Sequence, residues 1–299
     1  MEKKRRIILS AGVMVIGAIA AAIFIKEKTK KSTYMIGATS VDEKITPIPH
    51  RQKAFYERFV KRVLDVICAL LAFIIFFPIY VSVALLVRIK LGTPILFTQD
   101  RPGEIDRKTG KETIFKLYKF RTMTDERDDQ GNLLPDKDRL TPFGAWLRKT
   151  SLDELPETFN ILNGTMSVIG PRPQLVRDMV FMTDEQRMRH TAKPGLSGLA
   201  QINGRNAIKW EDRFSWDVAY IQRVSFLEDV RIVFKTVKKA FIRQEGITEE
   251  NSATSTDFGD YLLESGKIDK SFYDTKQKMA RQILMEVEGH ANKSAVREA

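Results

Sequence analysis

One cysteine in 299 residues, Cys68, sits inside an apolar run. No intrachain disulfide can form, nothing points to an oxidising compartment, and the cytosol is the default. Histidine is scarce too: His50, His190 and His290 lie far apart without ligand or triad spacing, so neither a histidine metal centre nor a hydrolase triad is readable. Glycine-rich nucleotide loops of the Rossmann kind are absent. Acidic residues are outnumbered, 38 against 49 Lys and Arg, for a formal net charge of +11. The imbalance is uneven, since residues 245–299 hold 11 acidic and 7 basic side chains and residues 1–244 therefore carry +15. Nucleic acid, anionic lipid and a phosphorylated substrate would all satisfy such a basic front, and charge alone does not choose among them. At 43% hydrophobic, the chain can build a core, as one large domain or two modest ones.

Two long apolar runs stand out. Residues 7–25, IILSAGVMVIGAIAAAIFI, lack charge and are flanked by Lys3 to Arg6 before and by Lys26, Lys28, Lys30 and Lys31 after. The length suits a membrane helix of about 20 residues. The cation-rich stretch that follows, where a signal peptide would have small residues for cleavage, favours an anchor. Cations on both sides leave its orientation unread. Residues 66–87, VICALLAFIIFFPIYVSVALLV, are also uncharged, bounded by Arg58, Lys61 and Arg62 and by Arg88 and Lys90, with Pro78 just past the middle. Proline removes a backbone hydrogen bond and predicts a kink. Each half rises about 15–18 Å, roughly half a hydrocarbon core. Cations at both ends favour a helix that enters, breaks and returns; a spanning helix with a tolerated proline is the alternative, and the residues alone leave both open.

After Lys90 the chain becomes polar and mixed. TPILFTQDRPG (93–103) reads as a strand and a Pro-Gly turn, ETIFKLYKFRTM (112–123) as a second β-rich stretch, and TDERDDQGNLLPDKDR (124–139) as a solvent-facing loop. In TPFGAWLRKTSLDELPETFNILNG (141–164), Phe143, Trp146, Leu147, Leu155, Phe159 and Leu162 have helical spacing and Asn163-Gly164 a stop signal. Asp153 and Glu154 are expected on or beside a helix start capped by Ser151, where the positive helix end favours ionised carboxylates. Ordinary first-turn acids would look the same.

The series KRVLDVICALLAFIIFFPIYVSVALLV, FTQDRPG, KFRTM, LRKTSLDELPETFNIL, MSVIGPRP and KPGLSGLAQINGRN closely resembles the bacterial sugar transferases, the small monotopic phosphoglycosyl transferases that act on polyprenyl phosphates. The resemblance runs from about Phe55 to Arg243. Thr165 departs from it, standing where the family often has an acid before Met-Ser. The resemblance implies a membrane enzyme that moves a sugar-1-phosphate from a UDP-sugar onto undecaprenyl phosphate with release of UMP, and it favours the proline-broken re-entrant form of residues 63–90. It further implies Asp153 as nucleophile, Glu154 in support of Mg²⁺ or proton handling, and both carboxylates as metal ligands. Arg101, Lys119, Arg121, Arg148, Arg172 and Arg205 become candidates to hold phosphates, with guanidinium forks favoured. Taken singly, any of these arginines reads equally as a surface cation or a weak salt bridge. Pro171 and Pro173 restrict the backbone around Arg172. Gln201 could read a base or sugar edge, and Gly195, Gly198 and Gly204 allow close backbone approach.

Residues 219–242 place Ile221, Phe226, Val230, Val233, Phe234 and Val237 among cations, the pattern of an amphipathic helix at a membrane surface; a core helix is an equal contender. The expected organisation is an anchor (1–32), a linker (33–54), the transferase domain (55–244) and a polar, acidic extension (245–299) read as an appendix, such that a chain ending at residue 244 would stay active. The fold class expected is mainly α with a small β component, monotopic, with its site facing the cytoplasm. The partners expected are UDP-sugar, undecaprenyl phosphate and membrane lipid, without nucleic acid; homo-oligomerisation stays open. The rival is a basic membrane-tethered scaffold without turnover, gripping anionic lipid or nucleic acid.

Overall fold

The computed structural model describes residues 34–35, 46–204, 209–242 and 256–296. The expected anchor, residues 245–255 and 297–299 of the extension and half of the linker (33 and 36–45) lie outside the described residues. Strand β1 (Tyr34–Met35) leads, after a gap and a π-helical turn at Tyr56–Val60, to the long helix α1 (Lys61–Lys90). Pro78 does not interrupt α1. Its fixed φ is already helical, the missing N–H costs one bond, and Ser82 Oγ donates to the Pro78 carbonyl at 2.8 Å. Lys61, Asp65, Ala69 and Phe73 are buried at every fourth position, and Tyr80, Val83 and Val87 resume the stripe beyond the proline. Both halves of α1 therefore lie against the body, and the rest of its surface stays apolar and exposed, from Val63 to Ile89.

Strands β2 (Leu96–Ile105) and β3 (Glu112–Phe120) pair antiparallel with Leu96 opposite Phe120 and Arg101 opposite Phe115; β1 joins the other edge of β3. The turn expected at Pro102-Gly103 is instead an irregularity inside β2. The reversal comes later, at Asp106–Gly110, where Asp106 Oδ1 accepts from the amides of Lys108 and Thr109 at 2.9 Å. Buried at the start of β3, Glu112 is gripped by Arg187 through two hydrogen bonds (2.9 and 2.8 Å) and by His190 Nδ1 at 3.0 Å. His190 thus serves an internal ionic cluster.

The apolar spacing over 141–164 splits into two helices, α2 (Pro142–Lys149) and α3 (Glu157–Asn163), with a three-residue 3₁₀ turn, Leu152–Glu154, between them. Strand β4 (Ser167–Ile169) pairs parallel with β5 (Gly195–Ser197). Backbone meets backbone closely there: a β-carbon on Gly195 would stand 2.0 Å from the Gly170 nitrogen, and one on Gly198 2.2 Å from the Gly170 carbonyl. These glycines serve packing of one chain segment on another rather than approach of a ligand. Next come α4 (Leu199–Ile202), α5 (Trp210–Gln222) and α6 (Phe226–Ile242).

Residues 219–242 carry both core positions and an exposed apolar face. Ile221, on α5, and Ile232, on α6, are core residues, and buried Asp229 accepts from Tyr56, Tyr220 and Lys61 at 2.5 to 2.8 Å. Leu227, Val230, Val233, Phe234 and Val237 point outward. Phe226 meets Tyr56 at 6.0 Å between ring centroids, joining this apolar face to the start of α1.

The extension forms α7 (Phe258–Glu264) and α8 (Lys270–Val296), and it is no appendix. Phe258, Met279, Ala280, Ile283 and Val287 share one buried cluster with Ile114, Val176, Met179, Phe181 and Phe214. Their spacing along α8, positions 279, 280, 283 and 287, is that of a helix burying one stripe. Among the described residues the architecture is mainly helical with two small sheets, and α1 is long and apolar enough to cross a membrane.

Candidate active site

The acidic pair stands where three elements end. Lys119 closes β3, Arg148 closes α2, and Arg172 follows β4 on the Pro171–Pro173 turn. Helix α2 is pressed onto the exit of β3: a β-carbon on Gly144 would fall 1.8 Å from the Thr122 carbonyl, while Arg148 Nε donates to Thr122 Oγ1 at 3.0 Å. Ser151 is not the cap expected of it. With φ 54° and no side-chain cap bond, it turns the chain in the left-handed region, which costs a non-glycine residue about 1 kcal/mol. That turn swings Asp153 inward, where it is buried. A 3₁₀ turn of three residues offers little helix dipole, so the ionised state of the pair rests on side-chain cations.

Those cations converge on Glu154. Lys119 Nζ lies 2.8 Å and Arg172 Nη2 2.7 Å from Glu154 Oε1, and Lys119 also reaches Glu157 at 3.2 Å. Burial alone would raise the Glu154 carboxyl, but Arg172 and Lys119 outweigh it and hold the group well below the usual carboxylate range. Burial also dominates at Asp153, which is pushed up to about 6 against the pull of Lys119, with Glu154 adding to the rise. Glu157, deeper still, is pushed up to about 7 by burial, opposed by Lys119. Among the described residues no hydrogen bond or ion pair engages the Asp153 carboxylate, although Arg148, Lys119 and Arg172 all bear on its charge. One carboxylate of the three is thus spent on cations, one is shared, and one is left with its oxygens open to chemistry.

The support is backbone deep. Arg189 is fully buried against Asp217 (2.9 and 2.6 Å) and donates to the Arg172 carbonyl at 2.6 Å. Arg101 Nη1 donates to the Pro173 carbonyl at 3.2 Å and Nη2 to Gln99 at 2.6 Å; burial, with Arg172 nearby, lowers its guanidinium to about 10. Arg172 itself keeps 43% of its side chain exposed, so its guanidinium both holds Glu154 and faces outward. Below the site, Asn160 ties α3 to β3 through Tyr118 N (3.0 Å) and the Lys116 carbonyl (2.8 Å). Tyr80 and Arg62 of α1 donate to carbonyls at the two ends of α3, Leu155 at 2.6 Å and Ile161 and Leu162 at 2.5 and 2.9 Å.

The candidates drawn from the sequence thus divide. Asp153, Glu154, Lys119, Arg148 and Arg172 come together, and Arg101 stands behind the proline turn. Arg121 holds the C-terminal end of α1, donating to the Leu91 carbonyl and the Thr93 carbonyl (3.0 Å) and pairing with Asp125 (2.7 Å). Gln201 Nε2 donates to the Leu196 carbonyl at 3.1 Å. Arg205 lies outside the described residues. Sequence reasoning missed Glu157 and Arg189. Glu157 had a signal, four residues after Asp153 at the first turn of a helix; Arg189 had none, because its partners are an Asp 28 residues on and a distant backbone carbonyl.

Residues 56–243 match the model of the family described as bacterial sugar transferase, and the chain belongs to that family. It is 46% identical over 199 residues to the uncharacterized sugar transferase EpsL of Bacillus subtilis, covering 67% of this chain and 95% of that protein. It is 39% identical over 194 residues to the UDP-glucose:undecaprenyl-phosphate glucose-1-phosphate transferase of Klebsiella pneumoniae, covering 62% of this chain and 40% of that protein. A third relative, 36% identical over 189 residues, is the UDP-N-acetylgalactosamine-undecaprenyl-phosphate N-acetylgalactosaminephosphotransferase of Aeromonas hydrophila, where the match covers 60% of this chain and 43% of that protein. The chain thus spans about two fifths of these last two.

Proposed function

We propose that the protein transfers a sugar-1-phosphate from a UDP-sugar to undecaprenyl phosphate and so begins a surface glycan. The observation that supports this best is the inward, unengaged carboxylate of Asp153 beside a glutamate whose Oε1 is already held by Lys119 and Arg172. An Asp153 oxygen attacks the phosphorus that bears the sugar; the bond from that phosphorus to the bridging oxygen breaks, and UMP leaves with the electron pair. The sugar-phosphoryl aspartate is then attacked by an oxygen of undecaprenyl phosphate, which forms the lipid diphosphate sugar and returns Asp153 to its carboxylate. Arg172, half exposed, and Lys119 neutralise the phosphoryl oxygens, the principal demand of phosphoryl transfer. Glu154 keeps both cations in place between turnovers.

Mg²⁺ fits this oxygen-rich corner. Among the described residues no three carboxylate, histidine or cysteine side chains form a ready cage, in keeping with an ion that takes one or two protein carboxylates and completes its shell with phosphate and water. Asp153 and Glu154 would hold it, and it would supply charge neutralisation on the diphosphate.

The outward apolar side chains of α1 and α6 are read as the membrane face, with α1 seated in the cytoplasmic leaflet along its length. Its two halves both pack on the same soluble body, which disfavours a lone crossing. A scaffold without turnover has no use for an open carboxylate in a buried cationic setting. The deciding experiment incubates enzyme and a panel of UDP-sugars labelled in the sugar-proximal phosphate. Without lipid, at most one UMP per site should appear and the label should stay on protein; with undecaprenyl phosphate, turnover should follow. Normal turnover without any protein-bound label would replace the covalent route by direct attack of the lipid on the nucleotide sugar. Salt-sensitive binding without UMP release would favour the scaffold.

A further inference from the structure

Residues 256–296 lie beyond the segment that matches the family, residues 56–243. We infer that α7 and α8 are a working part of the donor site, holding the Pro171–Arg172–Pro173 turn in its phosphate-gripping position by clamping the helical turn that follows it. The inference rests on the donor reading given above and adds to it an element that the family segment does not contain.

Four residues after Arg172 the chain enters the single helical turn Val176–Met179. Its polar side is held by α7 and the residue before it: Arg177 pairs with Asp257 at 3.4 Å and Asp260 at 2.8 Å, and the Gly259 amide donates to Asp178 Oδ1 at 3.3 Å. Its apolar side, Val176 and Met179 with Val180 and Phe181 after them, shares a buried cluster with Phe258, Met279 and Ile283. The contact is close, since a β-carbon on Gly259 would sit 2.5 Å from the Phe181 ring, and Phe181 stacks on Tyr273 at 5.6 Å. On the other side of the proline turn, Arg189 and Arg101 hold the carbonyls of residues 172 and 173. The turn is thus gripped from both sides, and only one grip is made by the family segment.

The second grip bears on a stretch whose neighbouring donors leave it room to shift. Gln174 Nε2, Arg101 Nε and Arg177 Nε have no hydrogen-bond partner among the described residues. A buried donor without a partner favours any shift that pairs it, so a released turn is free to move. Packing of α7 and α8 opposes that shift, and Arg172 is the side chain whose position depends on the outcome.

The test uses the full chain in detergent with two variants, Gly259→Val, which drives a side chain into Phe181, and the milder Ile283→Ala, which thins the cluster without touching the turn. Amide hydrogen exchange is read over residues 174–182 and over α7 and α8, and the Kd for UDP is measured by calorimetry. Release of the extension should raise exchange over residues 174–182 about tenfold and weaken UDP about 3- to 10-fold, while turnover per active site at saturating donor changes less than about twofold. A merely structural role would lower the active fraction and leave the Kd of the remainder alone. Freed extension amides with unchanged exchange at 174–182, or with unchanged UDP affinity, would overturn the clamp. So would undisturbed extension amides in both variants, since the packing would then not be as described. If the wild-type protein itself fails to bind UDP, the donor reading falls first and takes this inference with it.

Discussion

The seam around Glu154 and the outer face of α1 and α6 are opposites in composition and alike in one respect. In the seam, charges are buried and nearly all are matched within a few ångströms, Lys119 and Arg172 on Glu154, Arg189 on Asp217. On the outer face, apolar side chains such as Leu71, Ile75, Leu85, Leu227 and Phe234 are exposed among the described residues. Each region is left incomplete in its own currency: the seam by one carboxylate, the face by a band of hydrocarbon. Under the proposed function the first gap meets a polar reactant and the second a lipid.

Substitutions that fill or empty these two regions should separate them. The largest effect is expected from Asp153→Asn, which removes the attacking oxygen: turnover should fall by at least about 10³-fold and protein-bound sugar phosphate should vanish from a labelling gel. Retained burst release of UMP in this variant would exclude Asp153 as nucleophile. Lys119→Met comes next. It leaves buried Glu154 and Glu157 without their shared cation, and a loss of about 10²-fold in kcat/KM is expected together with a lower Tm. An unchanged Tm with full activity would show that Arg172 alone suffices.

The pH profile sharpens the same point. Under the proposed function Asp153 acts as the carboxylate; burial pushes its pKa up to about 6, so kcat/KM should fall as pH drops through that value, about tenfold per pH unit below it. Lys119 favours the ionised form, and its removal should therefore move this acid limb to higher pH; movement to lower pH would mean that another carboxylate governs the profile. Arg172→Lys keeps charge and loses the fork, for which about a tenfold rise in donor KM is expected by initial-rate measurement, with kcat less affected. The smallest effect belongs to the outer face. Phe234→Asp should weaken vesicle partition several-fold in flotation assays while soluble-state stability changes little, because that side chain is already exposed. Equal partition would move the membrane face elsewhere.

Much of this was legible in the chain itself. The apolar run of α1, the two strands and the placing of the acidic pair beside a helix start follow from local pattern. Elements set by contacts distant in sequence were not. Nothing local announces that Ser151 will adopt φ 54°, that Pro78 will sit inside an unbroken helix fastened along its length, or that Gly170, Gly195 and Gly198 mark one backbone crossing another. The extension was misread for a similar reason. Its acidic balance describes its outer side, whereas its place in the fold rests on four buried positions at helical spacing along α8 and on Phe258 of α7. Glu157 was passed over because a glutamate at a helix start is ordinary until Lys119 arrives from 38 residues away.

The fastening of α1 to both ends of α3, by Arg62 at one and Tyr80 at the other, has a kinetic meaning under the proposed function. An enzyme joined to its bilayer by a slack linker samples many heights, and its encounters with a lipid are diluted over that volume. Here the helix offered to lipid and the helix that begins just after the carboxylates are one rigid piece, so the reacting aspartate stays at a single depth. Encounters with a lipid-borne acceptor then become a search in two dimensions, whose rate follows acceptor per unit membrane area. Diluting the acceptor with inert lipid at constant total acceptor should slow the second half-reaction and leave UMP release in the first untouched.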